Sequence, residues 1–459
     1  MKKKLALLVL AFTSVHLTAQ EIKVKRIDSL IHAANANGVF NGNALVAQHG
    51  KIVYQFAMGY ADGRKTKPLT PDLLFYVGSI SKEFNSAGIM LLAEKGKLKL
   101  DDKVSHYLPG LPEWADKIQI VHLLQYTSGL PLLNLNTDTG NWNALGNIKK
   151  LEFEPGSAYI YSNANIYLQQ KIIEKISGMS YADFVSKALL RPLHIAGGFT
   201  ELPSTNNKIA KAFDNTYAET VYDGKTNSLL LSAGDLYQWC KALHSYQILG
   251  KKSVDQLGKS FGNNEGSLGN VTFANGQISE HTHQGSGYNY ECLLYYNVTE
   301  DLAVILMTNN QNFKVNQIKD AIVAILNDQP FIVPKRSIYI DLRTKVLDDF
   351  DKGIAFYEQI KSTQPNQYDF SDEANDLYNT GKYLMRRNRF DDAVKIFDLS
   401  TLVDIKNTGG MSYAFSLMGD CYLKKGEKDM AVIYYKKAVE LDPTNKNAEG
   451  MLREIYNKK

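Results

Sequence analysis

Two stretches of alternating apolar and polar residues set the architecture that the rest of the chain must fit. Residues 42–60, GNALVAQHGKIVYQFAMGY, alternate on either side of His49-Gly50, and residues 288–308, YNYECLLYYNVTEDLAVILMT, alternate on either side of a turn at Thr299 to Asp301. Alternation with a period of two around a turn is the pattern of an antiparallel hairpin with one buried face. Between the two lie amphipathic stretches at helical spacing, such as 164–176 and 235–244. Strands that flank a helical middle predict an α+β fold: one antiparallel sheet shared by the terminal strands, flanked by helices and carrying an all-helical insert.

After Phe331 the strand signal stops and a 3.6-residue period runs to the end. Residues 412–445 carry Met418-Gly419, Tyr422, Ala431, Tyr435, Ala438 and Pro443 at the offsets of a tetratricopeptide repeat, with Phe415 in place of the first aromatic, usually Trp. Residues 374–407 give Gly381, Ala393 and Phe397 in the same register, and Gly353, Tyr357, Ile360 and Pro365 give a third copy that is degenerate in its first helix. Small residues at these offsets let paired helices approach closely, so an all-α repeat array is predicted. Stacked helix pairs make concave surfaces for a protein or peptide partner.

The N-terminus reads MKKKLALLVLAFTSVHLTAQ: three lysines, a short apolar stretch, then small and polar residues up to Ala19. This is the pattern of a secretory signal peptide and predicts a periplasmic or secreted protein. The whole chain has a formal charge of +4, to which those three lysines contribute, so the remainder is close to neutral and offers no basic field for nucleic acid. Nothing after the N-terminus approaches the run of about 18 apolar residues that a membrane span needs. Cys240, Cys292 and Cys421 are odd in number and far apart, and they read as packing thiols. Four regions follow: an export segment at 1–19, a catalytic domain at 20–330, a connection with the degenerate first repeat at 331–373, and the repeat region at 374–459.

Residues 75–90, FYVGSISKEFNSAGIM, contain the chain's only Ser-x-x-Lys, Ser79 to Lys82, followed by a helical apolar pattern. A helix that starts near Ser79 puts Lys82 one turn on and on the same face. A desolvated lysine loses its proton near neutral pH and can act as a base on the Ser79 hydroxyl. The helix N-terminus adds backbone donors for the oxyanion formed on attack.

Tyr161-Ser162-Asn163 follows the turn Glu154-Pro155-Gly156. A tyrosine hydroxyl there can relay a proton, and the Asn163 amide can orient Lys82 and bond a substrate. Tyr295-Tyr296-Asn297 has similar residues but sits within an alternating strand, where Tyr295 and Asn297 share a face and read as sheet surface. A third element, His283-Gln284-Gly285, stands at a strand entry, where a glycine permits close backbone approach to a ligand. His281 and His283 on one strand face also have the chemistry of metal ligands, but no HExxH or Cys partner accompanies them, so no metal is expected. Gly285-Ser286-Gly287 is not followed by a helix and does not read as a nucleotide loop.

With these motifs in this order, the chain resembles the penicillin-recognising serine hydrolases, the superfamily of class C β-lactamases, serine DD-peptidases and related esterases. The resemblance covers roughly residues 25–330 and includes Thr127-Ser128-Gly129-Leu130-Pro131, residues 155–178, and Ser232 to Leu236 ahead of Trp239. It implies Ser79 as the acylated nucleophile, Lys82 as base and Tyr161 as proton relay. It also implies Asn163, His283, Gly285 and Ser286 as substrate-binding residues, the oxyanion donors being the N–H groups of Ser79 and Ser286. Class C enzymes carry a lysine where this chain has His283, Tyr126 replaces the His often found before Thr-Ser-Gly, and the segment Ser286-Gly287-Tyr288 is shorter than usual. These departures point away from efficient β-lactam hydrolysis.

The function expected is therefore an exported, cofactor-free serine hydrolase with an acyl-enzyme intermediate. Its substrates would be D-amino-acid-containing peptides, cell-wall stem peptides among them, or small esters and amides. The alternative is a catalytically weak or inactive periplasmic scaffold whose repeats bind a protein or peptide partner.

Overall fold

The computed structural model describes residues 2–133, 137–199, 207–220, 228–403 and 405–457, without the side chains of 2–18 and 457. Most of the expected export segment thus lies outside the described side chains. The chain forms two compact units, Met1–Ala36 with Phe40–Val333, and Asn37–Val39 with Pro334–Lys459.

The first unit is built on a six-stranded antiparallel sheet. In chain order its strands are β1 (Gly42–Gln48), β2 (Lys51–Met58), β3 (Asn270–Ala274), β4 (Gln277–Gly287), β5 (Tyr290–Asn297) and β6 (Leu302–Thr308), and in space they run β2-β1-β6-β5-β4-β3. The terminal strands share this sheet as expected, with Gly42 opposite Thr308 and Gln48 opposite Leu302. The β1–β2 turn is made by His49 and Gly50, both at positive φ (51° and 74°), the left-handed pair that a two-residue hairpin requires. Helix α1 (Lys2–Ala36) packs Ile27, Leu30, Ile31 and Ala34 into this unit, at the one-face spacing of an amphipathic helix.

The helices between the sheet's two halves position the candidate site. Helix α2 (Ser81–Glu94) is the central one and is buried along nearly its whole length. Helix α3 (Asn163–Ser177) is capped by Ser162, whose hydroxyl accepts from the Ala164 N–H, and ends on Gly178 at positive φ. Helix α4 (Ala233–His244) opens with a capping box between Ser232 and Asp235, so the Ser-Ala-Gly-Asp-Leu segment is a helix start.

In the second unit the described elements are all helical: α5 (Ile338–Asp348), α6 (Phe350–Thr363), α7 (Glu373–Met385), α8 (Phe390–Val403), α9 (Thr408–Lys424), α10 (Lys428–Leu441) and α11 (Lys446–Asn457). The predicted small residues are where helix pairs touch. A Cβ added to Gly381 would lie 2.3 Å from the Phe397 ring, and one added to Gly419 would lie 2.6 Å from the Tyr435 ring. The degenerate copy also forms a helix pair, with Gly353 against the backbone of Val346. Among the described residues no helix is long and apolar enough to cross a membrane.

Candidate active site

Ser79 lies in a short 3-10 turn, Gly78–Ile80, that leads into α2, so the helix proper begins two residues later than the sequence suggests. The turn still brings Lys82 round to the serine: Lys82 Nζ is 3.0 Å from Ser79 Oγ. Burial of the ammonium pushes Lys82 down to about 8, against a smaller opposing pull from the Glu265 carboxylate. Ser81, the other serine of the motif, is only 4 % exposed, and its hydroxyl accepts from the Leu229 N–H at 2.9 Å. Its oxygen is committed to the scaffold, whereas Ser79 is half-buried beside Lys82.

Tyr161 reaches the same point from the loop before α3. Burial holds its hydroxyl well above the ordinary phenol range, against a smaller lowering by Ser79. Lys82 Nζ sits 5.1 Å from the centre of its ring. The loop is held in place by the Thr-Ser-Gly segment: Ile160 N–H donates to the Tyr126 carbonyl, Gly156 N–H to the Thr127 carbonyl, and Ser162 Oγ–H to the Pro131 carbonyl. Tyr126 stacks on Tyr161 with ring centres 4.8 Å apart.

Strand β4 closes the third side. His281, His283 and Gly285 alternate toward the interior, as a period of two dictates, while the Ser286 side chain is exposed. A Cβ on Gly285 would lie 1.9 Å from the Val77 carbonyl oxygen and 2.8 Å from the Ser79 nitrogen. One on Gly78, whose φ is +55°, would lie 2.4 Å from the Ser286 nitrogen. Two glycines thus let the backbone amides of Ser79 and Ser286 come together, the arrangement an oxyanion site needs.

The family model described as Beta-lactamase matches residues 27–327, and that for the tetratricopeptide repeat matches 412–445. The chain belongs to the β-lactamase family. Penicillin-binding protein 4* of Bacillus subtilis is 29% identical to this β-lactamase-family chain over 376 residues, covering 71% of this chain and 80% of that protein. Protein flp of Staphylococcus aureus is 25% identical over 314 residues, 62% of this chain and 63% of that protein. Among solved structures, the octameric penicillin-binding protein homologue from Pyrococcus abyssi aligns with a TM-score of 0.57 at 22% identity, over 71% of this chain and 81% of that one. The D-amino acid amidase from Ochrobactrum anthropi aligns with a TM-score of 0.54 at 20% identity, over 66% and 98%.

One contact expected from the sequence is not formed. Asn163, the first residue of α3, is exposed, and among the described residues it makes no hydrogen bond to Lys82, so the expected orienting contact is not formed. His283 is turned inward, 2 % exposed, with Nδ1 2.7 Å from Glu83 Oε1.

The sequence reading missed Glu83, although a carboxylate in the apolar run after Lys82 is a visible anomaly. Glu83 Oε1, His281 Nε2 and His283 Nδ1 lie within 4.8 Å of one another, a two-imidazole, one-carboxylate set with the chemistry of a metal site. It also missed Glu265. This half-buried carboxylate sits on a loop pinned by Ser267 Oγ–H donating to the Leu124 carbonyl, and its charge reaches Lys82, Tyr126, Tyr159 and Tyr161. The Tyr295 hydroxyl and the Asn297 amide both donate to Glu280, so the two share a face as expected, but Tyr295 is buried there and not at the sheet surface.

Proposed function

We propose that this chain is a serine hydrolase that acts through an acyl-enzyme at Ser79. The observation that carries the reading is the 3.0 Å contact between Lys82 Nζ and Ser79 Oγ, with the Tyr161 ring centred 5.1 Å from the same nitrogen. Neutral Lys82 takes the Ser79 proton as Oγ attacks the substrate carbonyl, and the amides of Ser79 and Ser286 receive the developing oxyanion. Tyr161 passes a proton to the leaving group, and water attacking the ester then regenerates Ser79. The residues of the site carry out these steps without a cofactor.

The substrates proposed are D-amino-acid-containing peptides, including cell-wall stem peptides, or small esters and amides. The occurrence of a D-amino acid amidase and of EstCE1, a hydrolase with promiscuous acyltransferase activity, among similar folds supports this range. Slow acylation by β-lactams without efficient turnover follows from His283 standing where class C enzymes carry lysine. The basic, then apolar start of the chain supports export to the periplasm or beyond, where such peptides occur. The repeat region supports a protein or peptide partner for the second unit.

Intact-mass analysis after incubation with a fluorophosphonate and, separately, with a penicillin tests the reading. One covalent adduct on Ser79 is expected with the fluorophosphonate. A full-length protein with no adduct from either reagent would favour the scaffold alternative.

A further inference from the structure

Glu83 has no accessible surface, directly follows Lys82 and takes no part in the steps above. Its Oε2 accepts from Trp239 Nε1–H at 2.7 Å, and its Oε1 meets His283 Nδ1 at 2.7 Å and His281 Nε2 at 3.1 Å. Burial alone would push this carboxyl up, but the His281 and His283 imidazoles outweigh it and hold Glu83 well below the usual carboxylate range. An ionised carboxylate has only acceptors, so the direction of every bond is forced. Trp239, His281 and His283 all donate. The network continues from His281 Nδ1 to His244 Nε2, 3.0 Å away. Burial and His281 together push His244 down to about 3, which keeps it neutral.

The network joins helix α2 (Glu83), helix α4 (Trp239, His244) and strand β4 (His281, His283). On β4 the next inward residue after His283 is Gly285, which packs against Val77 and the Ser79 nitrogen. The strand that brings the Ser286 amide to Ser79 is therefore fastened to the helix behind Ser79 through one carboxylate. His283 is further fixed from behind, since a Cβ on Gly269 would lie 2.7 Å from its ring.

We propose that Glu83 is a positioning residue for the Ser79 site: by accepting from His281 and His283 it clamps β4 onto α2, sets the Ser286 amide beside the Ser79 amide, and fixes the His283 proton on Nδ1. The other ring nitrogen of His283, Nε2, has no partner among the described residues and is the one left for a substrate or a proton. The effect on rate rests on the hydrolase reading; the proton on Nδ1 does not.

Full-length protein labelled with 15N-histidine provides the first test, with His283 assigned by its loss in His283→Gln. The His283 Nδ1 is expected to carry a proton. An unprotonated Nδ1, or a stoichiometric metal ion that exchanges with the His283 signal on chelation, overturns the proposal. The second test is Glu83→Gln, in which the amide can no longer accept all the donors. Turnover of a small chromogenic ester should fall in kcat by about 10–100-fold with KM changed far less, the signature of a displaced donor in place of lost binding. A folded Glu83→Gln protein with wild-type kcat and an unaltered His283 tautomer overturns it. If the variant does not fold, the wild-type tautomer decides. If wild-type Ser79 takes no fluorophosphonate, the hydrolase reading fails, while the position of the His283 proton still confirms or refutes the clamp.

Discussion

Gly285 packs so closely on Ser79 that a side chain of a single carbon would lie 2.8 Å from the Ser79 nitrogen and 1.9 Å from the carbonyl oxygen of Val77. Neither obstacle is the end of a flexible side chain, so the strand itself would have to move. Gly285→Ala is expected to separate the Ser79 and Ser286 amides and lower kcat/KM by about 100-fold, the order of loss for a displacement of about 1 Å in an active site. Near-wild-type kinetics in a folded Gly285→Ala protein would show that this approach is not needed for turnover.

The two serines of the motif should separate cleanly. Ser79→Ala is expected to abolish labelling by a fluorophosphonate and leave the melting temperature nearly unchanged. Ser81→Ala should keep the label but cost about 1–3 kcal/mol, because it strands the buried Leu229 N–H. Intact-mass and thermal-melting measurements on both variants check this, and the opposite pattern would reverse the assignment.

The rate should rise with pH as Lys82 loses its proton, with a midpoint near its value of about 8, since only the neutral amine can accept from Ser79. Glu265 raises Lys82 by charge, so Glu265→Gln should move that midpoint to lower pH. A pH profile of kcat/KM for both proteins provides the test. A midpoint that stays put or moves up would mean that another group controls the acid limb.

The repeat register predicts where the second unit is least tolerant. Gly381→Val would drive its side chain into the Phe397 ring, and overpacking of this kind typically costs about 1–3 kcal/mol. Denaturant melts should show the repeat region losing stability. A chain ending at Val333 is expected to turn over a small chromogenic ester as fast as the full chain does. If that shortened protein is folded but inactive, catalysis depends on the repeats.

Much of the protein was legible in its sequence because the relevant physics is local. The left-handed pair His49-Gly50 marks its own hairpin, and the three-residue spacing of Ser79 and Lys82 survives the change from helix to 3-10 turn. Gly381 and Gly419 declared helix contacts because a missing side chain matters only where another helix lies close.

What the tertiary structure decided involves residues far apart in the chain. Glu83 and His283 are separated by 200 positions, and nothing near either residue says that the β4 register will turn His281 and His283 toward α2. The same holds for Ser81, whose hydroxyl meets Leu229 across 148 positions, and for Asn163, which the start of α3 leaves exposed. Periodicity determines which face of an element is buried, but the partner that meets a buried polar group depends on how sheet and helices pack, and a buried charge such as Glu83 persists only where that packing supplies its donors.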